Sequence, residues 1–234
     1  EMVTPETVDS RIWPRTAAIA ERLWSPREIK DTDDMYRRLD IISLQLEALG
    51  LRHESFKPEM MRRLANGYDT KALEVLVSVI EPLKIYERNQ GDTMYSVFSP
   101  FTKIADLATP DPPLPRIFQR QVDLFLKDPG LEAEKIITDQ LLVWKNNHVH
   151  FMETVRSSPE LQEVVSLSEN LSRLAAAGLA AMEMIHNGKH ADGAWLAQQL
   201  VITARAREQG GRCELQVVDP IENLIKAAVG KYGQ

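Results

Sequence analysis

Histidine and cysteine are the residue types here that could hold a metal ion or act as nucleophiles. His148 and His150 are two residues apart and point to different sides of a helix, so they cannot share one ion. His186 and His190 have the i, i+4 spacing of a helical ligand pair, but an Asn-Gly step between them indicates a helix end. Cys213 is the single cysteine, which excludes an internal disulfide or a thiolate zinc site. We interpret all five as structural and predict no metal and no cofactor.

Two polar motifs also have simpler explanations than a functional site. Asp31, Asp33 and Asp34 could attract calcium, but they lack the register and glycine of a calcium loop. They stand at a predicted helix start, where carboxylates are favourable, so we interpret them as capping residues. Asn170 begins a glycosylation sequon, but it falls inside a predicted helix, and we expect it to be unmodified.

The most distinctive segment is Asp9–Ser25, which reads DSRIWPRTAAIAERLWS. Pro14 suits a first helical turn, because its missing N–H would have no intrahelical partner there. At 100° per residue one side of the helix carries an apolar arc, while arginines point the opposite way. The arc comprises Trp13, Ala17, Ala20 and Trp24, extended by Ile12, Ile19 and Leu23. We expect this face to lie on a large apolar surface, as in helix-on-sheet packing.

This segment resembles the last β/α unit of the catalytic barrel in β-N-acetylhexosaminidases of glycoside hydrolase family 20. That unit has a strand ending in Trp-x-Glu, then a stretch like Asp-Ser-Arg-x-Trp-Pro-Arg, then Ala-Glu-Arg-Leu-Trp-Ser. The similarity is dense over residues 1–25, continues more loosely to Gly50, and ends near His53. The resemblance therefore covers roughly the first quarter of the chain.

The resemblance implies one substrate-binding residue and no catalytic one. Glu1 matches the Glu of Trp-x-Glu, which in the family hydrogen-bonds sugar hydroxyls; the alternative is that a terminal Glu is frayed and inert. The family's catalytic Asp-Glu pair acts by substrate-assisted retaining hydrolysis, and no Asp-Glu dipeptide occurs in this sequence. We interpret Arg11, Arg15, Glu21 and Arg22 as structural ion pairs and solvated faces.

The resemblance also implies a larger parent protein. A complete barrel needs about 250 residues, whereas the similarity starts at the end of its eighth strand. We therefore predict a C-terminal fragment that is inactive alone, with the N-terminal remainder of the enzyme as its partner. Through that parent it would act on N-acetylhexosaminide glycans, and the family suggests a periplasmic or secreted location.

Composition limits the other possible partners. The content of 44% hydrophobic and 26% charged residues is ordinary for a folded domain. A net charge of −6 disfavours nucleic acid, whose binding needs clustered Lys and Arg. Charges interrupt every apolar run before the roughly 18 residues that a membrane span requires.

The rest of the chain is predicted to be almost entirely helical. A helix capped at Asp31 or Thr32 should carry an apolar stripe to Gly50 and face a neighbour. Further helices are predicted over 58–66, 70–81, 115–127, 131–157, 159–187, 190–209 and 220–231, the last opened by an Asp219-Pro220 cap. A turn is predicted at 89–92, and extended chain at 95–98 and 213–218.

Two long helices carry the seams expected of an up-and-down bundle. One seam comprises Ile137, Leu141, Trp144, His148, Phe151 and Val155. The other comprises Val164, Leu167, Leu171, Leu174, Met182 and Ile185. Gly178 takes an intervening position in the second seam and should mark a close approach by a neighbour.

The predicted fold class is all-α: a helical bundle with an N-terminal remnant of a (β/α)8 barrel. We divide the chain into residues 1–55, the last β/α unit and following helix; 56–112, connecting helices and loop; and 113–234, the bundle. A second hypothesis makes the helical part a non-catalytic interaction or carbohydrate-binding module, for which Trp144 and Trp195 are the aromatics to inspect. Because monomers rarely expose large apolar patches, other helices or a second copy in a homodimer should cover the Trp13/Trp24 face.

Overall fold

A computed structural model describes residues 5–84 and 103–230. Its first part is a series of helices followed by a short strand. They are α1 (Pro5–Ile12), α2 (Arg15–Trp24), α3 (Thr32–Ala48), α4 (Lys57–Leu64), α5 (Lys71–Val77) and β1 (Ile80–Pro82). Pro14 lies just before α2, one position ahead of the predicted first turn. Asp31 caps α3 by accepting the N–H of Asp34, as predicted.

The second part is dominated by long helices. They are α6 (Ile104–Leu107), α7 (Pro113–Lys127), α8 (Leu131–Ser157), α9 (Val165–His186), α10 (Gly193–Ala206), β2 (Cys213–Leu215) and α11 (Val218–Ala227), with a 3-10 turn at Pro159–Val164. The described residues are predominantly helical, which confirms the all-α class. No helix in these ranges is long and apolar enough to cross a membrane.

The seam of α8 is the centre of the hydrophobic core. Its apolar members are buried as predicted, and the Trp144 ring meets Phe118 of α7 edge-on at 4.7 Å between centroids. His148 is the exception: it is only half-buried, and Asn147 beside it is buried instead. Asn147 can enter the core because its amide donates to the carbonyl of Ala72, 3.0 Å away.

Gly178 brings α9 close to two neighbouring helices. A Cβ at this position would lie 3.1 Å from both Ile221 Cγ2 of α11 and Leu141 Cδ2 of α8. The predicted close approach is therefore confirmed. The missing side chain lets three helices meet without a gap between them.

A two-stranded antiparallel sheet ties the first part of the chain to the last. Ile80 pairs with Leu215 and Pro82 with Cys213. The extended segment predicted at 213–218 is thus a strand over its first three residues. The helix predicted over 70–81 ends at Val77 instead, because the following residues pair with β2.

Several predicted helix ends were displaced by local geometry. The residues from Pro159 to Val164 form a 3-10 turn rather than the start of α9. Helix α10 begins at Gly193, where Asp192 accepts the N–H of Trp195, and not at His190. Helix α11 starts at Val218, so Asp219 stands in its first turn and is not the cap. The predicted turn at 89–92 and extended chain at 95–98 lie outside the described residues.

One core cluster joins residues from most of the described chain. It runs from Phe56 through Ile104 and Trp144 to Ala228. No member comes from α1, α2 or α3, whose apolar side chains stay outside it. The division at 55 and 112 stays a prediction.

Candidate functional site

Helix α1 and the start of the Asp9–Ser25 segment are fixed by polar contacts to distant residues. The Arg11 guanidinium donates to the carbonyls of Ala108, 2.8 Å away, and Ala105, and lies 4.0 Å from the Asp106 carboxylate. Both alanines and Asp106 are buried. Arg11 therefore satisfies acceptors that would otherwise lose water without compensation.

The loop after α3 holds the same segment from the other side. The backbone N–H of Arg52 donates to the Asp9 carboxylate at 3.1 Å. The Arg52 guanidinium donates to the carboxylates of Glu6, at 3.1 Å, and Glu59, at 3.2 Å. These contacts are partly exposed and contribute little energy individually, but together they orient α1.

The charged residues of α2 pair with the backbone and with α3. Glu21 pairs with Arg38; this hydrogen bond lowers the pKa of Glu21 and raises the pKa of Arg38. Arg15 donates to the carbonyl of Arg11 at 2.6 Å, and Arg22 donates to that of Ile29 at 2.7 Å. Each charged group has a structural contact, as interpreted from the sequence.

The apolar side of α2 is open to solvent. Ile19 is 60% exposed, Leu23 81% and Trp24 90%. Ile19 and Leu23, together with Ile29 and Met35, border a groove of about 600 Å³ between α2 and α3. The predicted stripe of α3 is likewise incompletely covered, since none of its residues is buried. We expected other helices or a second copy of the chain to cover this face. The described helices leave it open.

Trp13 lies apart from that face. The helix breaks between α1 and α2, so the half-buried Trp13 borders a second cleft, of about 360 Å³, with Tyr36, Asp111 and Arg116. The Tyr36 hydroxyl donates to Asp111 at 2.8 Å, and the Arg116 guanidinium carbon lies 3.3 Å from the ring centre. Burial, this hydrogen bond and the Asp111 charge raise the pKa of Tyr36.

A buried histidine that sequence reasoning missed lies between α3 and the next loop. Ser43 Oγ lies 2.7 Å from Nε2 of the fully buried His53, and Glu47 Oε1 lies 3.4 Å from its Nδ1. The order Ser–His–Glu resembles a nucleophile relay. However, Glu47 accepts the N–H groups of Glu54 and Ser55, and the His53 Nδ1 makes no hydrogen bond to it. We interpret the group as an anchor for the loop.

The structure places the other candidate residues in separate, structural surroundings. His148 contacts Ser168 at 3.1 Å, and His186 pairs with Glu134 at 2.7 Å. Cys213 is buried in β2. Within 5–84 and 103–230 no group of three His, Cys, Asp or Glu residues could hold a metal ion.

The remaining candidates are equally dispersed. The Asn170 amide donates to the carbonyl of Arg205 at 2.9 Å. Trp144 is fully buried, so its ring is closed to a ligand, whereas Trp195 is partly buried against the core. Glu1 lies outside the described residues, and its role stays a prediction.

Comparison with known proteins gives sequence relatives and a structural neighbour, although no protein-family model matches the chain. A probable β-hexosaminidase (fdl) of Drosophila melanogaster is 42% identical over 64 residues, covering 25% of this chain and 10% of that protein. The β subunit of Homo sapiens β-hexosaminidase is 46% identical over 39 residues, covering 17% of this chain and 7% of its own length. The crystal structure of a Flavobacterium johnsoniae chitobiase matches with a TM-score of 0.85 and 34% identity, covering 96% of this chain and 34% of that one. The chain thus spans about a tenth of the curated relatives that it matches.

Proposed function

We propose that this chain, a relative of the β-N-acetylhexosaminidases of glycoside hydrolase family 20, is a C-terminal part of a larger glycosidase that removes terminal N-acetylhexosamine. The names of its sequence relatives and of its structural neighbour support this substrate class. The small share of each relative that it spans supports a role as one part of a longer protein.

The chain alone is proposed to be inactive. Substrate-assisted hydrolysis needs a general acid for the leaving oxygen and a carboxylate that orients the 2-acetamido group, whose carbonyl oxygen attacks. The sequence has no adjacent Asp-Glu pair to fill these roles. The rest of the parent enzyme would supply both, while Glu1 would accept hydrogen bonds from sugar hydroxyls at the pocket wall.

The observation that carries this proposal is the open apolar face of α2. Ile19 and Leu23 lie one helical turn apart and border the same groove, Trp24 follows Leu23, and all three side chains are mostly in water. Exposed apolar side chains that are grouped on a soluble protein, and not scattered singly, indicate an interaction surface. A barrel sheet is the partner that this face fits, because an outer barrel helix buries such a stripe against the strands.

The charged residues of the same segment support a scaffolding role. The Arg11 guanidinium donates to the carbonyls of Ala105 in α6 and of Ala108 just after it, and Glu21 pairs with Arg38. These contacts hold α1 on α6 and α2 on α3. The bundle would therefore buttress the barrel and set the position of its last helix.

The test compares hydrolysis of an aryl N-acetylglucosaminide by this chain and by the full-length gene product. We expect turnover by the full-length protein and none by the chain. Hydrolysis by the chain would overturn the claim that it is inactive alone. No hydrolysis by the full-length protein would overturn the glycosidase assignment.

A further inference from the structure

A polar cleft lies on the bundle, between the start of α5 and one side of α8, far in sequence from the Asp9–Ser25 segment. Its volume is about 300 Å³, at the small end of the range for ligand pockets. Its lining includes Tyr68, Lys71, Asn147, His150 and Glu153. None of these residues takes part in the function proposed above.

Side-chain hydrogen bonds fix the backbone that forms the cleft. Asn147 donates to the carbonyl of Ala72 at 3.0 Å, and Thr154 donates to that of Asp69 at 3.4 Å. Outside the cleft lining, Asn66 of the same loop donates to the carbonyl of Ser157 at 3.1 Å. The loop before α5 is thus held to α8 in two places and the first turn of α5 in a third, so a ligand would meet a preformed surface.

Polar groups in the cleft are free to bind a ligand. Within the described ranges, the side chains of Lys71, His150 and Glu153 make no hydrogen bond or ion pair. Asn147 is only 6% exposed, and it uses one amide hydrogen for Ala72, which leaves its second N–H and its amide oxygen without a protein partner. A buried amide of this kind can both donate and accept.

The charges and the aromatic residue indicate the class of ligand. The cleft is lined by one lysine and by the two carboxylates of Asp69 and Glu153, so it has no excess of positive charge to bind an anion. Tyr68 is 46% exposed and offers an aromatic face beside the polar groups. Paired donors and acceptors next to an aromatic ring suit a neutral molecule with many hydroxyls and an apolar C–H face.

We propose that this cleft binds one pyranose ring of a neutral carbohydrate, and that the ring is an N-acetylhexosamine. Tyr68 stacks on the sugar ring, and Asn147 and Glu153 hydrogen-bond its polar substituents. The choice of an N-acetylhexosamine rests on the proposed function, whereas the cleft itself does not. The cleft would hold a glycan chain at a distance from the hydrolytic site.

The test is a titration of the 15N-labelled chain with N-acetylglucosamine and its β-1,4-linked dimer, followed by amide chemical shifts. We expect saturable shifts confined to residues 66–72 and 147–154. Tyr68→Ala and Glu153→Gln should each weaken binding at least fivefold. Glu160→Gln, at an exposed glutamate outside the cleft, is the matched control and should leave the affinity unchanged.

Other outcomes would overturn the proposal. These are the absence of saturable shifts at the cleft, equal shifts with a linear polyol such as sorbitol, or competition by inorganic phosphate. Unchanged affinity in Tyr68→Ala, with the amide spectrum of the folded chain retained, would also reject the stacking contact. Binding is measured without turnover, so failure here is distinguishable from failure of the hydrolysis test.

Discussion

Replacing Leu23 with serine tests whether the open face of α2 is an interface in the longer protein that we propose. Leu23 is 81% exposed in this chain, so Leu23→Ser removes a side chain that is already mostly in water. Surface substitutions of this kind change the free energy of unfolding by roughly 0.5 kcal/mol or less. If the same side chain is buried against a barrel sheet, its loss should instead cost about 2–5 kcal/mol, the range for truncating a buried leucine.

The two predicted magnitudes differ enough to be separated by thermal melting. For a domain of this size, 1 kcal/mol shifts the melting temperature by roughly 2–4 °C. The isolated chain should therefore change by about 2 °C or less, whereas the longer enzyme that we propose should show a larger decrease and lose some of the hydrolytic activity that we propose for it. Leu131→Ser is the matched control, because Leu131 is 78% exposed at the start of α8 and away from α2. It should have little effect in either protein.

The result that would refute this reasoning is an equally small shift for Leu23→Ser in both proteins. A homodimer predicts a different pattern. In that case the isolated chain should sediment as a dimer that Leu23→Ser dissociates, while Leu131→Ser should leave the dimer intact.

Three further predictions concern the chain itself. Gly178→Val should lower the urea midpoint by overpacking against Leu141 and Ile221, at a cost of roughly 1–3 kcal/mol; an unchanged midpoint would mean that α8 and α11 move apart freely. Partial burial raises the pKa of Glu47, but hydrogen bonds from the next loop outweigh it and lower the pKa overall. The resulting stability should be complete above the ordinary value of 4.5 and decline as pH falls below it, so Glu47→Gln should flatten the acid side of a stability–pH curve. Buried Cys213 should resist a thiol reagent in the native chain and react fully in denaturant, and rapid native labelling would contradict its burial.

The sequence predicted the helices of the bundle correctly where helix-ending residues and an apolar seam indicate the same helix. Helix α8 spans Leu131–Ser157 as predicted, because Gly130 precedes it, Pro159 follows it and an apolar seam runs along it. The predicted burial of its seam is wrong only at His148. Its neighbour Asn147 is buried instead, because the Asn147 amide donates to a carbonyl of another helix. A periodicity count cannot identify such an acceptor.

The elements that the sequence analysis did not predict depend on contacts between residues that are far apart in the chain. Strand β1 exists because Ile80 pairs with Leu215, and nothing near Ile80 predicts that pairing. The burial of His53 depends in the same way on Ser43 of α3. In the candidate site, the motif located the apolar face of α2, but the break between α1 and α2 moved Trp13 into another cleft. Helical periodicity assumes one continuous helix and could not detect this break.

The pattern of exposed apolar residues separates the two parts of the chain. In the bundle, α8 also exposes apolar residues, but they are spread along a helix whose apolar seam is buried, which is ordinary for a protein surface. They are Leu131, Ile136, Leu142, Val143 and Val149. On α2 and α3, by contrast, no residue is buried, and Ile19 and Leu23 of α2 share an open groove with Met35 of α3. A helix gains most of its stability in a protein by burying its apolar side against another element. Two neighbouring helices that leave this side open together are therefore better explained by an external partner than by chance exposure.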